Sequence, residues 1–398
     1  MKKKKILQIT LSFALLTGIF ACKSDRDDGT ESQEVLKSSY SVERFKVLDI
    51  TPNIAAGAKL TWSIQDSVIS ENTVLQFISP YQKTYPLMLK VEYNGKSTTY
   101  TSSINVIKES TTYSKYISKV FDFLPAVGQF TNELPQYTDG NSTEDMVTKA
   151  QNALKGSNSS MISLGGFGGY VVFGFDHTIP NLEGRDFKIL GNAFWGNDAL
   201  EERSGSCEPG IILVAYDQNK NGKPDDNEWY EIAGSEYFKN TTAKNYSITY
   251  YKPDNSKTAV PGDEFWQTDV QYIRWTDNLG NSGYKTKNAY HDQSYYPLWL
   301  NNASYTLTGT RLANNYYDQS GTGTYWVGKS YEYGYADNAP NTDEASNIDI
   351  SWAVDKNGNY VKLPGIDFVK VYTGINQEAG WLGEISTEVA GAYDLYMK

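Results

Sequence analysis

Leu87-Met88-Leu89-Lys90-Val91-Glu92-Tyr93 alternates apolar and polar residues and runs into Asn94-Gly95. A period of two sends successive side chains to opposite faces of a strand, and Asn-Gly supplies the positive-φ pair of a two-residue hairpin turn. The stretch therefore predicts a hairpin whose returning strand is Thr98 to Val106. Upstream, Lys59-Leu60-Thr61-Trp62-Ser63-Ile64 alternates in the same way, and Val74-Leu75-Gln76-Phe77 precedes another turn. Residues 38–110 thus read as one β-sandwich of about 70 residues, with no helical period in it.

Downstream, one helix interrupts the pattern. Ser142-Thr143-Glu144-Asp145 places a hydroxyl cap before acids in a first turn, which predicts a helix from Ser142 to about Leu154. From Met161 onward the sequence is almost wholly β. Val171 to Phe175, Phe187 to Leu190, Ile211 to Tyr216, Trp229 to Ala233, Tyr246 to Tyr251, Tyr272 to Trp275, Ser304 to Thr308, Ile348 to Ala353 and Ile366 to Tyr372 read as strands. The expected class is all-β: an immunoglobulin-like sandwich, then a larger jelly-roll-like sandwich over 111–398, with one short helix before it. The polar stretches 277–294 and 313–347 read as loops at a ligand-facing edge.

The first residues read as an address. Lys2 to Lys5 precede the apolar run Ile6 to Ala21, which is short for a membrane span, and Cys22 follows at once. Ile19-Phe20-Ala21-Cys22 resembles a bacterial lipobox, which implies a lipoprotein signal peptide over 1–21, lipidation of Cys22 and a flexible tether over 22–37. Lys23-Ser24-Asp25-Arg26-Asp27-Asp28 resembles the acidic export signal of surface lipoproteins of the Bacteroidetes. The formal net charge is −11, which argues against a nucleic-acid partner. Two His and two Cys leave little for His-based catalysis, a zinc site or a disulfide framework.

Asp217-Gln218-Asn219-Lys220-Asn221-Gly222-Lys223-Pro224-Asp225-Asp226-Asn227-Glu228 carries the sharpest motif. Oxygen side chains stand at positions 1, 3, 5, 9 and 12, with Gly at 6, as a calcium loop requires. Asp217, Asn219, Asn221, the Lys223 carbonyl, Asp225 and Glu228 are the expected Ca2+ ligands. The flanks read as strands, so the role expected of the ion is structural. Asp355-Lys356-Asn357-Gly358-Asn359 lacks the later ligands and reads as a hairpin turn. Leu164-Gly165-Gly166-Phe167-Gly168-Gly169 precedes a strand, not a helix, so it is a kinked strand entry and not a phosphate loop. His177 follows Asp176 at a strand end, where neighbouring side chains are expected to face apart. His291 lies in a loop among tyrosines. Glu183, Glu208, Glu228, Glu332, Glu384 and Glu388 offer carboxylates, and Glu208-Pro209-Gly210 reads as a structural turn.

The chain holds 31 Tyr, 9 Trp and 15 Phe, and many cluster in polar loops, where packing explains them less well. Tyr295, Tyr296, Trp299, Tyr316, Tyr317, Tyr325 and Trp326 are the candidate ligand-binding residues.

Residues 38–110, with Trp62 on an early strand, resemble a PKD-like domain. The later stretches Gly184-Arg185-Asp186-Phe187-Lys188-Ile189-Leu190-Gly191-Asn192, Glu208-Pro209-Gly210-Ile211, Gly365-Ile366-Asp367-Phe368-Val369-Lys370-Val371-Tyr372 and Gly380-Trp381-Leu382-Gly383-Glu384 resemble a family of Bacteroidetes cell-surface lipoproteins. In that family a large β domain follows a PKD-like module. The resemblance implies an outer-membrane, lipid-anchored, non-catalytic accessory to a TonB-dependent transporter, taking a cobamide or a glycan. A secreted glycan hydrolase and an adhesin without a small ligand remain the alternatives at this point.

Overall fold

The computed structural model describes residues 34–157 and 160–397. The leader over 1–21, Cys22 and tether residues up to 33 lie outside the described residues. The chain is nearly all β, arranged as packed sheets.

The opening hairpin forms as its alternation dictates. Thr84–Tyr93 and Lys96–Ile107 pair from Tyr93↔Lys96 to Thr84↔Asn105, and Asn94 and Gly95 turn with φ of 50° and 74°. Leu87, Leu89 and Val91 point inward while Met88 is exposed. These strands belong to a five-stranded sheet ordered Tyr40–Glu43, Lys96–Ile107, Thr84–Tyr93, Lys59–Ile64, Ser67–Ser70. The first two of these run parallel. A two-stranded layer, Leu48–Ile50 with Leu75–Phe77, faces the sheet across a core centred on Trp62. Trp62 is fully buried, and its Nε1 donates to the Asn72 carbonyl at 2.9 Å, which removes the cost of burying the indole N–H.

The larger domain is built on a six-stranded sheet ordered Ala353–Val354, Trp229–Ile232, Gly210–Ala215, Gly365–Thr373, Tyr170–Pro180, Lys119–Leu124. Its central strands are covered on both faces. Ile212, Val214, Val369 and Val371 enter a core shared with the helix Thr143–Leu154 and the three-stranded sheet of Asn347–Ile348, Phe187–Leu190 and Gly391–Asp394. Ile211, Leu213 and Tyr372 point the other way, against Tyr246, Ile248, Tyr250 and Leu307 of the four-stranded sheet Ser282–Asn288, Gln267–Asp277, Ala243–Tyr251, Ser304–Arg311. A near-continuous apolar run is what a strand buried on both faces requires.

The helix begins at the expected cap. The Ser142 side chain accepts from the Asp145 backbone N–H, and the Asp145 carboxylate accepts from the Ser142 N–H in return. Three expectations change. The stretch 313–347 is not all loop, because Tyr316–Asp318 pairs with Trp326–Lys329. The stretch 277–294 is not all loop, because Ser282–Asn288 forms a hairpin with Gln267–Asp277. That strand is polar and is held by backbone pairing, so it has no apolar alternation to read. Ile348 to Ala353 is not one strand: the single 3-10 turn Ile350–Trp352 splits it, started by the Asp349 carboxylate accepting from the Ser351 N–H. Among the described residues no helix is long and apolar enough to cross a membrane.

Candidate functional site

The predicted aromatic residues separate into a buried set and a surface set. Tyr295, Tyr296, Trp299 and Tyr316 are each under a tenth exposed. Trp299 lies between Phe123 and Tyr137, with centroids 6.4 and 6.1 Å away. Tyr296 donates to the Asn302 carbonyl, and Tyr316 packs flat against Gly328, where a Cβ would come within 2.4 Å of its ring. Their rings are therefore not presented to a ligand. Tyr317 and Trp326 are half-buried, and Tyr325 is exposed.

An exposed ridge of other rings lies beside them. Phe265, Tyr290 and Trp381 are 78%, 57% and 38% exposed. Phe265 meets Tyr290 edge-on at 6.1 Å, and Tyr290 meets Trp381 at 6.2 Å. Trp381 Nε1 donates to the Thr324 carbonyl at 3.3 Å, and Trp326 Nε1 donates to the Gly323 carbonyl at 3.1 Å. The ridge therefore runs from the 252–266 loop to the turn that carries Tyr325. Gly380, with φ of 54°, is needed here, because a Cβ on it would lie 2.3 Å from Trp326 Nε1.

Buried polar groups hold the ridge in place. Asn288, 1% exposed, donates from Nδ2 to the Trp381 carbonyl at 2.6 Å and accepts at Oδ1 from the Tyr290 N–H at 3.0 Å. The Tyr295 hydroxyl accepts from the Asn288 N–H and donates to the His291 carbonyl. Tyr295 is thus a positioning residue for the turn that presents Tyr290. Phe130 packs edge-on to His291 at 4.9 Å. Glu384 sits beneath the segment 378–385: its Oε1 accepts from the Gln129 N–H at 2.6 Å, while Gln129 Nε2 donates to the Leu382 carbonyl. Burial pushes the Glu384 carboxyl up to about 8.

In the 217–228 loop, three of the expected ligands converge. Asn219 Nδ2 and Asn221 Nδ2 both contact Asp225 Oδ2, at 2.5 and 2.8 Å. It is the amide nitrogens that meet this carboxylate; Asn219 Oδ1 and Asn221 Oδ1 accept from the Asn221 and Lys223 N–H groups instead. Asp217 lies beside them, accepting from the Asn221 and Gly222 N–H groups, and Gly222 turns with φ of 71°. Glu228 is 1% exposed and accepts from the Gln218 N–H at 3.0 Å. The loop touches the first domain, where Lys220 Nζ lies 3.1 Å from Asp49 Oδ2. The turn at 355–359 closes on itself: Asp355 Oδ1 accepts from the Asn357 and Asn359 N–H groups.

A cluster missed by the sequence reading lies under the 191–193 turn. Carboxylate oxygens of Glu208, Asp337 and Glu388 all lie within 4.8 Å of one another. Asp337 Oδ1 accepts from the Asn192 and Ala193 N–H groups at 2.8 Å each, and its Oδ2 accepts from the Glu388 N–H at 3.0 Å. Burial, and then their mutual repulsion, raises the Glu208 and Asp337 carboxyls. Such a group shares protons or holds a hard cation. Glu208 is therefore more than the end of a turn. Asp337 has no sequence neighbour that would have signalled it. Glu208, Asp337 and Glu388 crowd together instead of facing each other across an open cleft. A cleft of about 780 Å³ lies elsewhere, between the domains, lined by Val68, Tyr81, Leu182 and Leu363 among others.

His177 does contact its neighbour, contrary to expectation: Nδ1 lies 2.9 Å from Asp176 Oδ1. The pairing of Tyr170–Pro180 with Gly365–Thr373 shifts register between Gly174 and Ile179, and this irregularity turns the two side chains together.

No family model matches the chain, and no curated protein does. Among solved structures it is similar to a quinonprotein alcohol dehydrogenase-like protein from Bacteroides thetaiotaomicron, at 13% identity and a TM-score of 0.17. That match covers 38% of this chain and 34% of that one. A SusE-like protein matches at 8% identity and a TM-score of 0.25, over 90% of this chain and 95% of that one. A structure of carbohydrate-binding modules from the β-sandwich superfamily matches at 10% identity and a TM-score of 0.15, over 90% and 94%. At such low TM-scores none of these likenesses carries an argument about ligand or activity.

Proposed function

We propose that this chain is a cell-surface binding protein that captures a glycan on the ridge Phe265–Tyr290–Trp381. The observation that carries the reading is the ridge itself: three exposed rings in contact, held from below by a buried Asn and a buried Tyr. Sugar rings present apolar C–H faces that stack on aromatic faces, with hydroxyls left free for rim groups. Fixed rings lose little freedom on binding, so stacking is not offset by ordering them.

In this reading the protein is non-catalytic. The first sandwich serves as a spacer above a lipid anchor at Cys22, and captured ligand passes to a TonB-dependent transporter. Ca2+ in the loop from Asp217 to Glu228 stiffens the hairpin that touches the first sandwich through Lys220 and Asp49.

The test is calorimetric titration of the folded chain with a panel of soluble polysaccharides, and with cobalamin. At least one glycan should bind, and Trp381→Ala and Tyr290→Ala should each weaken it by about tenfold, or ~1.4 kcal/mol. Binding of cobalamin but no glycan would replace the ligand class. Glycan binding untouched by both substitutions would remove the ridge.

A further inference from the structure

The imidazole of His177 is enclosed, with no exposed surface, and each of its nitrogens faces a carboxylate. Nδ1 lies 2.9 Å from Asp176 Oδ1 and Nε2 lies 2.9 Å from Asp394 Oδ2. A neutral imidazole has one N–H and one bare nitrogen, so it satisfies one of these contacts and sets a lone pair against the other carboxylate. Two protons on the ring satisfy both.

The surroundings place this group at the junction of the two domains. Phe45, from the first sandwich, packs edge-on to the imidazole at 5.1 Å, and Tyr113 of the connecting segment lies at 5.4 Å. Phe45 is 2% exposed and adopts φ of 61°, a conformation costly for a bulky residue and kept only where the surroundings impose it. Beside it, Arg44 forms a two-pronged pair with Glu109, 2.5 Å on each prong. Asp176 also accepts from the Ser114 N–H, tying the connecting segment to the same carboxylate. Asp394 stands on the last strand and accepts from the Tyr396 N–H.

The charged and titratable groups around the ring are Asp176 on its own strand, Asp394 on the last strand and Asp367 on the neighbouring strand. Tyr113 follows on the connecting segment, within the field of Glu43, Lys46 and Glu109. Burial works against the charge on His177, but Asp394 and Asp176 outweigh it and hold the ring above its ordinary value of 6.5.

We propose that His177 is a proton-dependent latch between the two domains. As an imidazolium bridging Asp176 and Asp394 it completes the seat for Phe45, and losing its second proton frees the first sandwich to swing on residues 110–113, which lie between Glu109, paired with Arg44, and Ser114. Closure binds a proton, so the latch is shut at low pH and opens as pH rises through the ring's raised value.

The chain contains two histidines, so imidazole NMR of the full chain resolves this ring, with His177→Gln assigning the signal. The His177 signal should keep its imidazolium form beyond pH 6.5. Limited proteolysis between residues 110 and 113 should accelerate over the same pH interval, following the loss of the imidazolium. Asp394→Asn should lower both midpoints together. Phe45→Ala should speed cleavage at every pH and abolish its pH dependence, without removing the titration. The wild-type measurements alone decide the matter. A His177 signal that titrates at or below 6.5, or a cleavage rate that stays flat while the ring deprotonates, overturns the latch.

Discussion

Replacing Glu384 with Gln should remove its contribution to the pH dependence of stability. Glu384 is 7% exposed, and burial raises its carboxyl from 4.5 to about 8 in the folded chain. The folded state therefore holds a proton that the unfolded chain has released. Stability from this group is complete below pH 4.5 and is lost as pH climbs through about 8. At about 1.4 kcal/mol per pH unit, the interval corresponds to a loss of about 5 kcal/mol, reduced to about half where water reaches the ionised group. Gln keeps the shape and the acceptor for the Gln129 N–H but cannot ionise. In urea unfolding, wild type and Glu384→Gln should agree within about 1 kcal/mol at pH 5, and the variant should be the more stable by about 2–5 kcal/mol at pH 9. Trp381 precedes Glu384 in the same tight segment, so glycan binding should weaken at pH 9 in wild type and hold in the variant. Parallel stability-versus-pH curves for the two proteins would refute the reasoning.

Other outcomes follow from single contacts. Added Ca2+ should raise the melting temperature, and Asp217→Ala should abolish the rise; a melting curve indifferent to Ca2+ ends the calcium reading. Ser142→Ala removes the side chain that caps the helix and should cost about 1 kcal/mol in chemical unfolding, with binding unchanged. Gly169→Ala would drive a Cβ to 1.9 Å from the Leu164 carbonyl oxygen and 2.2 Å from the Ala126 nitrogen; it should cost more than about 3 kcal/mol or prevent folding, and soluble expression at wild-type stability would contradict the packing described.

What the sequence made legible was whatever is written in local order. The Asn94-Gly95 turn, the alternation from Leu87 to Tyr93 and the Ser142 cap each depend on residues a few positions apart. The polar strand Ser282–Asn288 was hidden because its place is fixed by backbone bonds to Gln267–Asp277, which leave no apolar pattern. None of the three ridge residues was among the aromatic candidates named from the sequence. Tyr325 of those candidates is exposed, but richness in Tyr does not separate a ring that faces water from one such as Tyr295 that braces a turn. Phe265 and Trp381 lie more than 100 positions apart in sequence, and Tyr290 joins them in space. The carboxylate group of Glu208, Asp337 and Glu388 was invisible for the same reason, as was the pairing of His177 with Asp394.

The parallel pairing of Tyr40–Glu43 with Lys96–Ile107 gives the first sandwich a mechanical character. Tyr40 lies beside Ile104 and Glu43 beside Ile107, so the chain enters at one end of this pair and leaves toward the larger domain at the other. A pull between the N-terminal segment and the larger domain slides these strands along each other. It does not peel them apart. Every rung bears the load together, including the Arg44 N–H on the Ile107 carbonyl at 3.0 Å and the Ser102 hydroxyl on the Lys37 carbonyl at 2.7 Å. A module loaded in shear yields only when several hydrogen bonds fail at once, whereas a peeled hairpin opens one bond at a time. Were the chain held from its N-terminal side, as the proposed lipid anchor would hold it, this strand order would supply tensile strength.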